Sequence, residues 1–459
     1  MTTSLNKLQN LYQESKDGAL KDFFTFLKFE SVSSEIEHKE HVLQCAEWLK
    51  EYIAEMGFTT ELWETSGHPI VFASYLEAGP EKPTLLIYNH YDVQPVDPVE
   101  LWESPPFEPT IRDGEVYARG AEDNKGQCFY VLQALKLLLK RDGTLPINIK
   151  LCIEGEEETG SAGISEILKH KEKELQADYL AIVDLGIRKP DKPAITLGVR
   201  GMVTMDVEVE GSDTDLHSGS HGGIVYNPIH ALSEILSNLR DANGKITVPG
   251  FYDDVIPLTD TERSQLNLDF ETMEYQTMFG ATPSGGEQNF EPLERAWTRP
   301  TLEVNGINGG YTGSGFKTVI PAKAHAKISC RLVPNQDPHK IGKLVADHIK
   351  SLAPEGIKVD VDVHPGVGTA VRSDVSSTII QAFSQAYQEV FNDKTEYIFE
   401  GGSIPIINEL AKASNSSVAL VGLGLPDDQV HAPNEHFGIN RIEKGSLIIA
   451  RAIEVLVGK

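Results

Sequence analysis

The chain has 459 residues, beyond the size at which one hydrophobic core usually stops growing, so two or three domains are expected. Hydrophobic residues make up 40% and charged residues 24% of the sequence, as in an ordinary soluble globular protein. The formal net charge of -27 argues against nucleic acid and anionic membranes as partners.

The amino-terminal segment, residues 1–17, is polar and lacks the apolar stretch of a secretory signal peptide. No run of the sequence approaches the ~18 apolar residues needed to span a bilayer. The cysteines are far apart and form no CxxC pair, which argues against a cysteine-rich zinc site and favours buried, reduced thiols. We therefore expect a cytoplasmic protein. The cysteines are Cys45, Cys128, Cys152 and Cys330.

Helix and strand patterns alternate in the first part of the chain. Apolar residues recur at helical spacing over 40–56 and 127–139, and short apolar runs over 84–88, 147–153 and 179–183 predict buried strands. Strands that alternate with helices predict an α/β domain whose mixed sheet carries helices on both faces.

The pattern changes near Arg200. Residues 203–209, 324–332 and 358–363 alternate apolar and polar side chains as half-exposed strands do, and a helical segment over 229–239 lies between them. This predicts an α+β insertion, an antiparallel sheet with helices on one face.

Buried-strand and helix patterns return after about Asp374, with 418–421 as the clearest strand. The predicted organisation is one domain over 1–200 and 371–459, interrupted by a second domain over 201–370. Residues 251–300 are irregular and rich in Gly and Pro, and the sequence assigns them no element.

Acidic residues and histidines cluster just beyond the predicted buried strands and in the loop before one helix. Ligands of open α/β sheets bind at the carboxyl ends of the strands, and a mixed nitrogen and oxygen donor set suits Zn²⁺, with Co²⁺ or Mn²⁺ as substitutes. Each residue alone has an ordinary explanation, such as a surface histidine or a helix cap, but their coincidence favours a metal site. The residues are His90, Asp92, Asp123, Glu157, Glu158, Asp184 and His431.

Nine segments in order resemble motifs of the aminoacylase and carboxypeptidase G-like zinc peptidases, especially their cytosolic nonspecific dipeptidase (carnosinase) branch. The resemblance covers nearly the whole chain. It implies that 1–200 and 371–459 form a catalytic domain and that 201–370 form a lid and dimerisation domain through which the chain makes a homodimer. The segments are NHYDVQP, RGAEDNKG, EGEEETG, ADYLAIVD, DLHSGSHGG, KTVIP, RLVPN, GGSIP and the loop around His431.

The resemblance also implies how two divalent metal ions, Zn²⁺ by preference, are held in each subunit. His90 and Asp184 match the ligands of one ion, and Glu158 and His431 match those of the other. Asp123 matches the carboxylate that bridges the two ions.

Further roles follow from the same resemblance. Glu157 matches the general base that deprotonates the metal-bridging water, and Asp92 matches the carboxylate that orients the first histidine. A cis peptide is expected after Asp123. The chain departs from many dipeptidases by having Asn124 in place of Asp and Glu122 in place of a small residue. Neither position is an expected ligand.

Several residues match substrate-binding positions of the dipeptidase branch. His217 resembles a histidine that reaches the scissile carbonyl, often in a partner subunit, and His221 is a nearby rival. Arg331 could be an ordinary surface strand residue, but the resemblance implies a clamp for a terminal carboxylate. Thr318 and Ser403 are also implied to bind substrate.

The sequence therefore predicts a metal-dependent hydrolase that cleaves dipeptides bearing a free terminal carboxylate. An N-acyl-amino-acid deacylase or a glutamate-type carboxypeptidase on the same site remains as an alternative. A non-catalytic relative is disfavoured because all the ligand positions and Glu157 are retained. An Mg²⁺ and phosphate enzyme is disfavoured because the sequence has no Gly-rich loop followed by Lys-Ser/Thr.

Overall fold

A computed structural model describes residues 3–402 and 406–458. Their internal contacts divide them into two compact units. The first unit contains the chain up to Leu197, Ser373–Ile398 and the residues from Ile406 onward. The second contains Gly198–Arg372 and a short segment that begins at Phe399.

The helices, in chain order, are α1 (Thr3–Leu27), α2 (Lys39–Ala54), α3 (Lys125–Asp142), α4 (Ala162–Leu168), α5 (Glu172–Leu175), α6 (Ser218–His221), α7 (Pro228–Ser237), α8 (Asp260–Gln265), α9 (Thr272–Phe279), α10 (Pro292–Trp297), α11 (Pro338–Ser351), α12 (Thr378–Phe391), α13 (Ile407–Ser414) and α14 (Ile439–Val455). Short 3-10 turns lie at Ile36–His38, Val99–Leu101 and Glu157–Thr159.

The strands are β1 (Thr59–Trp63), β2 (Ile70–Tyr75), β3 (Thr84–His90), β4 (Thr110–Arg112), β5 (Glu115–Tyr117), β6 (Asn148–Glu154), β7 (Tyr179–Gly186), β8 (Ala194–Val199), β9 (Gly201–Glu210), β10 (Leu216–His217), β11 (Thr301–Gly309), β12 (Val319–Ile320), β13 (Lys323–Leu332), β14 (Lys358–Val363), β15 (Val371–Arg372), β16 (Glu396–Glu400), β17 (Ser417–Gly424) and β18 (His436–Gly438).

The first unit is built on a mixed sheet with the order β1-β2-β6-β3-β7-β17-β8. Strands β6, β3, β7 and β17 run parallel, whereas β1 and β2 pair antiparallel to each other and β2 pairs antiparallel to β6. Strands β3 and β6 are buried along nearly their whole length. Because strand side chains alternate between faces, this burial requires cover on both faces. The predicted α/β fold with a doubly covered mixed sheet is confirmed.

The second unit contains an antiparallel sheet with the order β11-β13-β9-β14. Buried and half-exposed residues alternate along β9, as the sequence predicted. The buried face packs against apolar side chains of α7 and α11. The predicted α+β architecture is therefore confirmed. Segment 251–300, which the sequence left unassigned, holds the short helices α8, α9 and α10.

The structure also describes the amino-terminal segment and the cysteines. The polar amino-terminal segment, to which no element was assigned, lies in the long helix α1, whose Leu5, Leu8 and Tyr12 are buried. All four cysteines are buried and free, as expected. Within the described ranges, the helices are all too short or too polar to cross a membrane.

Candidate metal centre and substrate-binding residues

The acidic residues and histidines singled out from the sequence gather at one edge of the first unit's sheet. His90 is the last residue of β3, and Asp184 lies near the carboxyl end of β7. Glu157 and Glu158 follow β6, while Asp123 lies two residues before α3. Since β3, β6 and β7 are parallel, their carboxyl ends meet at the same edge.

His90, Asp123 and Asp184 form a buried group. The Nε2 atom of His90 lies 3.0 Å from Oδ1 of Asp123 and 3.6 Å from Oδ1 of Asp184. The exposed side-chain fractions are 0% for His90, 15% for Asp123 and 10% for Asp184. Ligand atoms of these three residues all lie within 4.8 Å of one another, so one metal ion could contact all of them.

A second group consists of Asp123, Glu158 and His431. Their ligand atoms also lie within 4.8 Å of one another. The Nε2 atom of His431 lies 3.0 Å from Oδ2 of Asp123 and 3.3 Å from Oε2 of Glu158. The His431 side chain is 53% exposed, and its backbone has a φ of 60°, which is uncommon for a residue other than glycine. The two oxygens of Asp123 therefore face different groups, as a bridging carboxylate requires.

The histidines of the two groups have strongly shifted pKa values. Hydrogen bonds with Asp123 and Glu158 raise the pKa of His431 to about 10. Burial opposes the charge on His90, but the carboxylates of Asp184 and Asp123 outweigh it and raise the pKa of His90 well above its usual value. Both shifts reflect the excess of carboxylates around the rings, which bound metal ions can offset.

The carboxylates of the centre are also perturbed. Burial and the neighbouring Asp123 raise the pKa of Glu158 to about 7. Burial and nearby carboxylates, including Asp184, raise the pKa of Glu157 well above its ordinary value. Burial likewise raises the pKa of Asp184. Such mutual repulsion between buried carboxylates is relieved by cations, so the donor set fits two divalent ions.

Asp92 is fully buried and links His90 to the loop that carries the two glutamates. Its Oδ1 lies 3.3 Å from Nδ1 of His90 and accepts a hydrogen bond from the backbone N–H of Glu157 at 3.2 Å. Its Oδ2 accepts from the N–H of Glu158 at 3.1 Å and from the Ser33 hydroxyl at 2.7 Å. Asp92 thus fixes the ring of one candidate ligand and the backbone of another.

Sequence reasoning missed Glu435, a fully buried carboxylate four residues after His431. Its Oε1 accepts from the backbone N–H groups of Glu122 and Asp123, each at 3.0 Å. Its Oε2 accepts from Arg119 Nη1 at 2.7 Å and from the N–H of Gly120 at 2.9 Å. Glu435 therefore holds the loop that presents Asp123. In the sequence, the only indication of this residue is that an acidic side chain occurs four positions after His431.

The sequence did not predict Asn124 as a metal ligand. In the structure its side chain instead forms a hydrogen bond with the candidate ligand Asp184. Its Nδ2 donates to Oδ1 of Asp184 at 2.6 Å, and its Oδ1 accepts from Asn89 Nδ2 at 2.6 Å. The expected cis peptide between Asp123 and Asn124 is present. The side chain of Glu122 accepts a hydrogen bond from Gln127 at 2.7 Å.

In the second unit, His217 is the last residue of β10, and Thr318 immediately precedes the neighbouring strand β12. His217 pairs with Val319 across β10 and β12, and the N–H of Ser218 donates to the carbonyl of Thr318 at 3.0 Å. The Nδ1 atom of His217 accepts from the N–H of Gly219 at 3.0 Å, so the neutral ring carries its proton on Nε2. The exposed His217 thus presents an N–H donor.

Arg331 lies on β13 opposite Thr301, close to a second guanidinium that sequence reasoning missed. Arg200 donates to the Gly401 carbonyl at 3.0 Å and to the Thr301 hydroxyl at 3.3 Å. Burial and repulsion from Arg331 lower the pKa of Arg200 to about 10, and burial lowers the pKa of Arg331. The nearby Glu400 carboxylate partly offsets both shifts. Ser403 lies outside the described residues.

Residues 86–455 match the sequence model of Peptidase family M20/M25/M40. The chain is 31% identical to the Cys-Gly metallodipeptidase dug1 of Schizosaccharomyces pombe, over 97% of each chain. It is 35% identical to the Beta-Ala-His dipeptidase of Homo sapiens, over 84% of this chain and 78% of that protein. Its structure resembles an M20 family metallo-carboxypeptidase, Sso-CP2 from Sulfolobus solfataricus, with a TM-score of 0.85, 34% identity and coverage of 95% and 99%.

Proposed function

The chain belongs to Peptidase family M20/M25/M40 and is a peptidase, and from this premise we propose that it hydrolyses dipeptides with a free terminal carboxylate. The single observation that carries the proposal is the sharing of Asp123 between two candidate metal groups. Two similar proteins are named as a Cys-Gly metallodipeptidase and a Beta-Ala-His dipeptidase. These names support dipeptides as the substrate class.

We assign the ligands as follows: His90 and Asp184 to one divalent ion, Glu158 and His431 to the other, and Asp123 to both. Zn²⁺ is the proposed ion, with Mn²⁺ or Co²⁺ as substitutes, because imidazole and carboxylate donors suit these metals. Two such ions would polarise the scissile carbonyl and lower the pKa of the attacking water.

Glu157 is the proposed general base because it adjoins the centre but belongs to neither ligand group. It accepts a proton from water while the water oxygen bonds to the carbonyl carbon, and it returns the proton to the amine when the C–N bond breaks. Asp92 binds the backbone N–H groups of both Glu157 and Glu158. It therefore keeps the base and its neighbouring ligand in fixed, separate positions.

Substrate binding is assigned to residues of the second unit. The half-buried guanidinium of Arg331, near Arg200, can bind a terminal carboxylate through two hydrogen bonds. The Nε2–H of His217 is a donor for the scissile carbonyl, and Thr318 and Ser403 are the other proposed substrate-binding residues. We also propose a homodimer formed through the inserted domain over 201–370, and a cytoplasmic location, which suits four free cysteines.

The variant Glu157→Gln tests the mechanism. We expect kcat for a dipeptide such as Ala-Leu to fall by about 10²–10⁴-fold, because the proton acceptor is lost. Bound metal, measured by elemental analysis, should stay at the parent level. The control is Glu166→Gln, an exposed glutamate on α4 that should keep full activity. Parent-like turnover by Glu157→Gln would remove Glu157 from the mechanism.

A carboxypeptidase or N-acyl-amino-acid deacylase is the second candidate. The 34% identity to a structure described as a metallo-carboxypeptidase favours it. Parallel assays on Ala-Leu and N-acetyl-leucine separate the two functions, because a dipeptidase rejects a substrate with a blocked amine. Faster hydrolysis of N-acetyl-leucine would contradict the dipeptidase proposal.

A further inference from the structure

A second kind of histidine and carboxylate cluster lies outside the candidate centre, where α1 leads into α2. Glu30 follows α1, His38 ends the 3-10 turn Ile36–His38, and His41 lies in the first turn of α2. Their side chains are 42%, 22% and 44% exposed. His38 and His41 are three residues apart, so their rings lie on the same side of the helix start.

The donor atoms of this cluster form a nearly equilateral triangle. The Nδ1 atoms of His38 and His41 are 3.4 Å apart, and Oε2 of Glu30 is 3.5 Å from the first and 3.6 Å from the second. Ligand atoms bound at ~2.0–2.2 Å to a tetrahedral Zn²⁺ are ~3.3–3.6 Å from one another. The two distances to Glu30 are too long for good N–H···O hydrogen bonds, and the 3.4 Å between the two rings is at the long end for a hydrogen bond. The spacing therefore fits a shared cation better than direct pairing.

A carboxylate also lies behind one of the rings. Oε2 of Glu35 is 3.3 Å from Nε2 of His38, the nitrogen on the opposite side of the ring from the triangle. A carboxylate that accepts the second N–H of a histidine fixes its tautomer and raises the basicity of the ligating nitrogen. The position of Glu35 favours the His38 tautomer whose Nδ1 faces the triangle as an electron-pair donor.

Another cluster in the same unit shows what distinguishes this one. Glu115, Asp428 and His436 also have ligand atoms within 4.8 Å of one another. There, however, Arg441 Nη2 donates to Asp428 Oδ1 at 2.7 Å and to Glu115 Oε2 at 3.0 Å, so a fixed cation already neutralises the group. Among the residues that the structure describes, Glu30 has ion-pair contacts only with His38 and His41.

We propose that Glu30, His38 and His41 form an additional divalent-metal site, separate from the candidate catalytic pair, that takes Zn²⁺ or a similar imidazole-binding ion. Three protein ligands leave one tetrahedral position for water. The bound ion links the segment after α1 to the start of α2. In that segment Ser31 donates to the Tyr91 carbonyl and Ser33 donates to Asp92, both at 2.7 Å. The ion therefore stabilises a loop that supports the catalytic unit.

The test compares zinc binding to the full-length chain and to two variants, His38→Gln/His41→Gln and Glu30→Gln. After equilibrium dialysis against Zn²⁺ and elemental analysis, we expect each variant to hold one ion fewer per chain than the parent. Dialysis against Mg²⁺ should show no such difference, because imidazole nitrogen is a poor ligand for Mg²⁺. The control is His339→Gln, an exposed histidine in the first turn of α11, which should bind as the parent does.

The parent and the variants have the same catalytic residues, so ions bound there contribute equally to each protein. The difference in zinc content therefore reports only on the additional site. One ion fewer, with dipeptide hydrolysis retained, supports the proposal. Equal stoichiometry in the parent and both variants overturns it. Loss of an ion together with all hydrolysis also overturns it, because the ion lost would then belong to the catalytic pair. Circular dichroism of the metal-free proteins checks that the variants are folded.

Discussion

The two halves of the candidate metal centre use the same kinds of donor on very different supports. His90 and Asp184 lie at the ends of adjacent parallel strands and are almost fully buried. Glu158 lies in a short 3-10 turn and its side chain is only 4% exposed, whereas His431 lies on a loop and its side chain is 53% exposed. Buried strand ends open only with much of the fold, whereas exposed loops open locally at low cost. We therefore expect a tightly held inner ion and a more readily exchanged outer ion.

Removal of the residue common to both halves should have the largest effect. Asp123→Ala deletes the carboxylate that faces both groups, so we expect the loss of both ions and of essentially all hydrolysis. Elemental analysis and a dipeptide assay measure this. The control is the adjacent Glu122→Gln, whose side chain contacts Gln127 and should keep both ions. Two ions retained in Asp123→Ala would show that Asp123 is no bridge.

Substitution of each histidine separates the halves. His90→Asn should destabilise the metal-free protein by about 1–3 kcal/mol, because it removes the buried imidazole that pairs with both Asp123 and Asp184. His431→Asn removes a half-exposed ring that pairs with Asp123 and Glu158, so we expect a smaller loss of stability together with the loss of one ion. Thermal unfolding and elemental analysis measure both. Equal destabilisation by the two variants would contradict the comparison.

A smaller effect is expected from Glu435→Gln. The amide replaces one of the two oxygens that hold the backbone of residues 120–123, so Asp123 should be less well positioned. We expect metal affinity or activity to fall by about 10–100-fold, as for other residues that support metal ligands. Zinc titration against a chelator measures the affinity. Parent-like affinity would show that the loop is positioned without Glu435.

The smallest effect should come from Ser33→Ala. This variant removes the 2.7 Å hydrogen bond to Asp92, at a cost of about 1 kcal/mol, or roughly fivefold in affinity. We expect a change of that size in the overall metal affinity, because Asp92 supports both His90 and the backbone of Glu158. Metal titration tests this, and a loss as large as that of Glu435→Gln would contradict the ranking.

Local patterns in the sequence predicted the main elements and located the centre. Apolar runs predicted β3, β6 and β7, and polar residues at their ends predicted which side chains would meet. The roles of Asp123 and Glu157 came from the resemblance and stay proposals. Alternation along residues 203–209 predicted the antiparallel sheet of the second unit.

The supporting residues could not be predicted in the same way. Glu435 acts on backbone N–H groups more than 300 residues away, which leaves no local pattern. Arg200 is recognisable only through its proximity to Arg331 in the folded chain. Helix α1 was missed although its buried apolar residues recur at near-helical spacing, because the segment was considered only for its overall polarity. These residues are Leu5, Leu8, Tyr12, Ala19, Phe23, Phe26 and Leu27.

The orientation of Asp123, with one oxygen towards each group, has a consequence for the order in which the centre fills. If the proposed ligands hold, an ion bound first by His90 and Asp184 would immobilise Asp123 and so complete part of the other half before the second ion binds. Loading would then be positively cooperative, and the coupling free energy would be the same in either direction. In a zinc titration, the half-loaded protein would be scarcer than independent binding predicts.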